Sequence, residues 1–131
     1  MKIVLVSNGS LAQSLLDSMK NYFSEPELTA VCFESPDWQK GRDALAWAIR
    51  KQLRKNPQER FLVLCDVFGS TAFIESAILM EKLGLHDQSL LLCGMNLPMV
   101  FKLYGLRDTA TLELCRSIYG DAPEQNLQMY A

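Results

Sequence analysis

The sequence is poor in histidine, in closely spaced cysteines and in long apolar runs, and each shortage excludes a class of function. Its single histidine, His86, among 131 residues rules out a His-rich metal site and any mechanism that needs two imidazoles from one chain. The cysteines at positions 32, 65, 93 and 115 form no C-x-x-C pair, which argues against a zinc knuckle or a thioredoxin-like motif. We interpret them as small buried side chains in a reducing cytoplasm.

The charge and the length of the chain exclude further classes of partner and of protein. The chain has 13 Lys and Arg against 15 Asp and Glu, a net charge of −2, and no basic run, so neither nucleic acid nor an anionic membrane is an expected partner. No apolar stretch approaches the ~20 residues that span a bilayer, and the apolar residues 3–6 are too few for a signal sequence. We predict a single cytoplasmic domain over residues 1–131, with no metal or cofactor site.

Four short apolar runs alternate with segments of helical period. The runs are Ile3–Val6, Leu28–Phe33, Phe61–Cys65 and Leu90–Cys93. Three of them are continuously apolar, as is typical of parallel strands covered on both faces. The order βαβαβαβα predicts a doubly wound α/β sandwich of three layers around a mainly parallel sheet of four strands. Residues 124–131 are a possible further, antiparallel strand, which would pair with its own sheet or with a second subunit.

Four helices are predicted between and after these strands. The first begins at Ser10 and carries an apolar stripe that extends to Phe23. The second has Ser35 as its cap and Pro36 in its first turn, and it ends at Lys55. The third and fourth run from about residue 71 to 83 and from about 108 to 119, and a glycine closes each of them.

Polar residues and glycines are concentrated in three loops that directly follow strands. These loops are Ser7-Asn8-Gly9-Ser10, Asp66-Val67-Phe68-Gly69-Ser70-Thr71 and Gly94-Met95-Asn96-Leu97-Pro98-Met99. Ligands of an open parallel sheet bind outside the carboxyl ends of its strands. The first two loops lead into helices, whose N-terminal N–H groups attract anions such as phosphate, although the same residues also suit ordinary turns and caps. Together the loops predict an anion site at one edge of the sheet.

In order and spacing, the three loops resemble the mannose-type enzyme IIA of the bacterial phosphoenolpyruvate-dependent sugar phosphotransferase system (PTS), over about residues 2–104. The most specific blocks are Asp66-Val-Phe-Gly and Asn96-Leu-Pro-Met. The resemblance implies an α/β domain that is usually a homodimer, in which a C-terminal strand can be exchanged. It also implies a histidine that accepts a phosphoryl group from the small histidine-containing phosphocarrier protein and passes it to the IIB component of a sugar permease.

The chain departs from the family at the phosphorylated histidine, whose position is occupied by Asn8, before Gly9. An imidazole nitrogen is nucleophilic near pH 7, whereas the amide nitrogen of asparagine is delocalised into its carbonyl. We therefore expect a degenerate IIA protein that is not phosphorylated at the usual position. The family's Gly-Gly-Ser/Thr-Pro also reads Gly69-Ser70-Thr71-Ala72 here, which keeps a capping hydroxyl at Thr71 but loses a glycine and a proline.

The resemblance assigns the remaining site residues. Asp66 matches the acidic partner of the family's histidine. Residues expected to form the phosphate cradle or a partner-binding surface are Gly9, Phe68, Gly69, Ser70, Thr71, Asn96, Leu97, Pro98 and Met99. The implied partners are the IIB component, the phosphocarrier protein and a second copy of the chain.

Several alternatives remain open. The Asp66 carboxylate could accept a hydrogen bond from the Asn8 amide, or be satisfied by backbone N–H groups. Asp66 could also carry phosphate itself as an acyl phosphate, although such carriers need Mg²⁺ and further carboxylates. His86 should be an exposed loop residue at the opposite end of the sheet, ~15 Å away. An unrelated nucleotide- or flavin-binding domain is disfavoured because the sequence has neither G-x-G-x-x-G nor a P-loop.

Overall fold

The chain alternates strands with helices in a computed structural model, which describes residues 1–120. The strands are β1 (Lys2–Asn8), β2 (Leu28–Phe33), β3 (Phe61–Cys65) and β4 (Ser89–Leu92). The helices are α1 (Leu11–Met19), α2 (Trp38–Lys55), α3 (Thr71–Lys82), α4 (Leu97–Leu106) and α5 (Leu112–Cys115). A π-helical turn, Arg116–Gly120, continues directly from α5.

The four strands form one parallel sheet in the order β2-β1-β3-β4. Val4 of β1 pairs with Thr29 of β2 on one side and with Val63 of β3 on the other, so β1 lies at the centre of the sheet. The predicted doubly wound α/β architecture with a parallel four-stranded sheet is confirmed. The further strand predicted at residues 124–131 lies outside the described residues.

Two hydrophobic cores cover the two faces of the sheet. Because successive side chains of a strand point to opposite faces, Ile3 and Leu5 pack towards α1 and α4, whereas Val4 and Val6 pack towards α2 and α3. Strand β3 is buried along its whole length. This burial on both faces explains why the strands read as continuous apolar runs. Within residues 1–120, no helix combines the length and hydropathy needed to cross a membrane.

Helices α2 and α3 follow the predictions closely, except at the start of α2. The predicted cap Ser35 is wrong: the side chain of Asp37 caps the helix by accepting a hydrogen bond from the backbone N–H of Lys40, at 3.2 Å. The reason is that Glu34 and Asp37 still form a β-bridge, so the chain enters the helix only after Asp37. Helix α3 is followed by Gly84, whose φ of +67° matches the predicted glycine stop.

The C-terminal half of the described chain differs more from the prediction. Helix α4 was not predicted, although Asn96 caps it and Pro98 lies in its first turn, both common signals of a helix start. The helix predicted from residue 108 begins only after Thr111, because the backbone N–H groups of Thr109 and Ala110 bond back to the carbonyl of Leu106 in a turn. Phe23, predicted in α1, lies beyond that helix but packs against the same core.

The packing of α2 against the sheet provides a test of the fold. A Cβ atom added at Gly41 would lie 2.5 Å from Cδ2 of Phe33, a side chain that is fully buried and therefore has no room to move. We expect Gly41→Ala to lower the free energy of unfolding by about 1–3 kcal/mol through overpacking, measured by urea denaturation.

Gly105→Ala is the matched control, because no atom lies within 4 Å of the Cβ that it would add to α4. It should leave stability unchanged or raise it by up to about 1 kcal/mol, since alanine favours a helix more than glycine does. Equal effects of the two substitutions would contradict the close contact between Gly41 and Phe33.

Candidate functional site

Asp66, directly after β3, is the centre of the polar cluster at the carboxyl ends of the strands. Its carboxylate is only 8% exposed. Oδ2 accepts a hydrogen bond from the backbone N–H of Asn8 at 2.9 Å, and Oδ1 accepts from the hydroxyl of Ser70 at 3.1 Å and from the thiol of Cys65 at 3.2 Å. Both oxygens are therefore held by donors from the protein, as a buried carboxylate requires.

Backbone hydrogen bonds extend this cluster across the sheet. The carbonyl of Asp66 accepts from the N–H of Gly94, at 2.9 Å, which ties the loop after β3 to the loop after β4. The N–H of Gly9 donates to the carbonyl of Phe33, at 2.8 Å, and ties the loop after β1 to the end of β2. The ends of all four strands are thus linked. Asn8 ends β1 and Asp66 follows β3. The strand order reverses between these two strands, and ligands of such sheets bind at this point.

The side chain of Asn8 does not face the Asp66 carboxylate. Its Oδ1 atom accepts a hydrogen bond from the backbone N–H of Ala72, in the first turn of α3, at 2.9 Å. An N–H group needs an acceptor, so the amide presents its oxygen, not its nitrogen, to the helix. The possibility that Asp66 accepts from the Asn8 amide group is therefore wrong. The carboxylate is instead satisfied by the Asn8 backbone together with two side-chain donors.

Side chains within the three loops cap the N-termini of α1, α3 and α4, of which only the first two were predicted to attract an anion. Ser7 accepts from the N–H of Ala12 in α1 at 2.9 Å, and Asn96 accepts from the N–H of Met99 in α4 at 3.0 Å. In α3 the N–H of Phe73 donates to Ser70, at 3.2 Å, beside the N–H that Asn8 occupies. These groups are no longer free to bind an anion, because each already has an acceptor.

Two predicted caps are corrected by this geometry. The hydroxyl that caps α3 belongs to Ser70 and not to Thr71, because Thr71 is already the first residue of the helix. Ser10 precedes α1 but makes no side-chain cap; the buried hydroxyl of Ser7 binds an N–H of that helix and also donates to the carbonyl of Gly9, at 2.8 Å. Ser7 was missed as a site residue, although a serine at the end of an apolar strand was a usable signal.

The block Asn96–Met99 is divided between surface and core. Asn96 and Pro98 are exposed, Leu97 is half-buried, and Met99 is only 2% exposed and packs among the core residues below α4. Met99 faces inward because the Asn96 cap starts a helix at Leu97, which turns the third residue of that helix towards the sheet. Of this block, only Asn96 and Pro98 are exposed at the surface.

The remaining predicted residues lie around the Asp66 cluster. Gly9 and Gly69 have φ values of +80° and +84°, a region that other residues rarely adopt. Phe68 is 52% exposed, and its ring centroid lies 4.8 Å from that of Phe73.

His86 is exposed in the turn before β4, at the opposite edge of the sheet, as the sequence predicted.

Comparison with known proteins identifies the family. The sequence profile of the mannose-type enzyme IIA family, described as the PTS system fructose IIA component, matches residues 2–118. The chain belongs to this family. No curated protein sequence matches the chain significantly.

Solved structures of PTS proteins share the fold of this IIA-family chain. A phosphotransferase system component EIIA from Streptococcus agalactiae is 22% identical, with a TM-score of 0.66 over 83% of this chain and 80% of that one. A mannose/sorbose-specific IIA subunit from Enterococcus faecalis is also 22% identical, with a TM-score of 0.65 over 99% of this chain and 92% of that one. At this identity the likeness establishes the fold alone.

The hydrogen bonds around Asp66 predict its contribution to the stability of this IIA-family chain. Asp66→Ala leaves the Asn8 N–H and the Ser70 hydroxyl without their acceptor, so we expect the free energy of unfolding to fall by about 1.5–3 kcal/mol in chemical denaturation. Asp17→Ala, which removes an exposed carboxylate from α1, should change it by less than about 0.5 kcal/mol. A negligible effect of Asp66→Ala would contradict the structural importance of this carboxylate.

Proposed function

We propose that this protein is a degenerate IIA component of the PTS, which takes part in sugar uptake or its regulation by binding a PTS protein in the cytoplasm and not by carrying phosphate at the usual position. The observation that carries the proposal is the hydrogen bond from the N–H of Ala72 to Oδ1 of Asn8. An amide oxygen is bound to the helix N-terminus that a phosphoryl group would otherwise approach. The side chain that replaces histidine is thus structural.

The placement of Asn8 supports its equivalence to the family's phosphorylated histidine. Asn8 is the last residue of β1 and precedes Gly9, and its N–H is 2.9 Å from the Asp66 carboxylate, the counterpart of the family's acidic residue. The chain therefore has the same order of features as the family: a strand, the Asn-Gly pair, a helix and then the acidic residue. Asparagine has no nitrogen lone pair that could attack phosphorus, so the position retains the geometry of the family without its nucleophile.

Electrostatics also disfavour phosphate at this edge. The buried Asp66 carboxylate would lie close to any phosphoryl group held at residue 8, and like charges destabilise each other most where water is excluded. In the family an imidazole that becomes positively charged during transfer offsets this repulsion. Here no such charge develops at residue 8.

The exposed residues of the three loops supply the proposed docking surface. They are Asn8, Ser10, Phe68, Gly69, Asn96 and Pro98. The surface is rigid, because the loops are joined through Asp66, and Phe68 places a half-exposed aromatic ring on it. Exposed aromatic side chains on rigid surfaces often supply much of the energy of an interface. We propose the IIB component as the partner, with the phosphocarrier protein as the other candidate, and a homodimer as the assembly.

The alternative in which Asp66 carries phosphate requires the carboxylate to give up its hydrogen-bond donors. Both oxygens accept hydrogen bonds, and among residues 1–120 no group of three or more His, Cys, Asp or Glu side chains could hold the Mg²⁺ that aspartyl carriers need. If the protein were nevertheless phosphorylated, unchanged labelling of Asp66→Asn would exclude this alternative.

Phosphorylation can be tested directly by intact mass spectrometry. After incubation with phosphoenolpyruvate, enzyme I and the phosphocarrier protein, we expect no gain of mass for the natural sequence, because no nucleophile lies at residue 8. We expect Asn8→His to gain one phosphoryl group, at least in part. Asn21→His, which places an imidazole on the exposed surface elsewhere, should gain none.

Stoichiometric phosphorylation of the natural sequence would overturn the degenerate assignment. A folded Asn8→His variant that stays unmodified would show that Ser70 and Ala72 have also closed the phosphate cradle. Circular dichroism of each variant distinguishes that outcome from misfolding.

Partner binding can be tested at Phe68. We expect Phe68→Ala to weaken the binding of the IIB component at least about tenfold in isothermal titration calorimetry, since the ring is an exposed aromatic on the proposed surface. Trp47→Ala is the control, because Trp47 is 61% exposed on α2 and outside the three loops. Equal effects of the two variants, or none, would refute docking at this edge.

A further inference from the structure

Two cysteines lie side by side beneath the loops, at the ends of neighbouring strands. Cys65 is the last residue of β3, and Cys93 follows β4 directly. The last paired residues of these strands are Leu64 and Leu92, so the two cysteines are the next pair in register. Both side chains belong to the core on the α2 and α3 side of the sheet. Adjacent strands are about 4.8 Å apart, which lies within the Cα separation of about 4.4–6.8 Å that disulfides span.

The two thiols also interact with each other. The interaction between the two sulfurs lowers the pKa of Cys93 and raises the pKa of Cys65. Burial adds to the rise at Cys65 and opposes the fall at Cys93. Of the two, Cys93 is therefore the sulfur that the interaction favours as a thiolate. Cys93 is also the more accessible of the two, at 7% exposure against 0%.

We propose that Cys65 and Cys93 are a redox-sensitive pair, in which oxidation by a peroxide forms a disulfide that loosens the hydrogen bonds around Asp66. The Cys93 thiolate would attack one peroxide oxygen, giving a sulfenic acid and hydroxide, which takes up the proton released by Cys93. The Cys65 sulfur would then displace the sulfenic oxygen, which leaves as a second water with the Cys65 proton. Overall, two thiols and hydrogen peroxide give one disulfide and two waters.

The connection to Asp66 follows from the contacts of Cys65. Its thiol donates to Oδ1 of Asp66 at 3.2 Å and lies 3.7 Å from the Ser70 hydroxyl. A disulfide has no S–H, so oxidation removes one of the three donors that hold the carboxylate. It also draws the end of β3 towards the loop after β4. Both changes act on the carboxylate that orients the loop after β1.

The other two cysteines provide internal controls. Cys32 packs against the core on the opposite face of the sheet, and so does Cys115. Of the six pairs that four cysteines allow, two join thiols on the same face of the sheet: Cys65 with Cys93, and Cys32 with Cys115. Cys32 lies in β2 and Cys115 in α5, so only Cys65 and Cys93 lie at the ends of neighbouring strands. The thiol pair needs neither phosphate nor a PTS partner for its chemistry, so its test is independent of the proposed function.

Peptide mapping after treatment with hydrogen peroxide tests the pairing. Trypsin places the four cysteines in four different peptides, residues 21–40, 61–82, 83–102 and 108–116. After alkylation of free thiols under denaturing conditions, we expect peptide 61–82 linked to peptide 83–102, a loss of two hydrogen masses from the intact chain, and full reversal by dithiothreitol. Cys32→Ser should form the same link, whereas Cys93→Ala should form none.

Several results would overturn the pairing. One is a disulfide that forms mainly through Cys32 or Cys115. Another is irreversible oxidation of Cys93 with no disulfide to Cys65. A third is a loss of free thiols that occurs only under conditions that also oxidise the methionines. The peptide map of the natural sequence shows by itself whether Cys65 and Cys93 are linked. Misfolding of a variant would therefore not weaken the test.

Amide hydrogen exchange measured by NMR tests the effect on Asp66. In the oxidised protein the N–H of Asn8, which donates to Asp66, should exchange about threefold faster or more, and dithiothreitol should restore the slower rate. The N–H of Met19 in α1, which packs in the core on the opposite face of the sheet, is the control and should not change. Unchanged exchange at Asn8 in a fully disulfide-bonded sample would overturn the coupling.

Discussion

The carboxylate of Asp66 is the constraint on which the loops at the carboxyl edge of the sheet depend. Three donors from the protein converge on this carboxylate. The backbone carbonyl of Asp66 also accepts a hydrogen bond from Gly94, in the loop after β4. A carboxylate that is 8% exposed is costly to bury unless it is paired in this way, so the donors and the loop conformations are specified together. This structural requirement gives Asp66 a role in the fold that is independent of phosphoryl transfer.

Asn8 links strand β1 to two other elements at the carboxyl edge of the sheet. Its backbone donates to Asp66 while its side chain accepts from the first turn of α3, so it joins β1 to both. Both bonds use groups that asparagine provides and neither requires an imidazole. Family membership therefore fixes the architecture, whereas the proposed loss of phosphoryl transfer rests on the side chain at residue 8.

Much of the fold could be predicted from the sequence, but the interior of the site could not. Continuous apolar runs located the strands, and Gly84 located the end of α3, because these signals are local. Helix α4 was missed because Asn96 and Pro98 were interpreted as parts of a binding loop and not as a helix start. The bond between Asn8 and Ala72 joins residues 64 positions apart, and no local pattern specifies which atom of the amide faces the helix.

The arrangement of the sheet implies a gradient of local stability across the protein. Strand β1 shares hydrogen bonds with two neighbours, whereas β4, within the described residues, pairs only with β3 and over four residues. Strands with fewer bonds and contacts open at lower free energy, so transient separation should begin at β4. Reagents would then reach the buried sulfur of Cys93 through brief excursions of this edge strand, and the frequency of those excursions would set the pace of its chemistry.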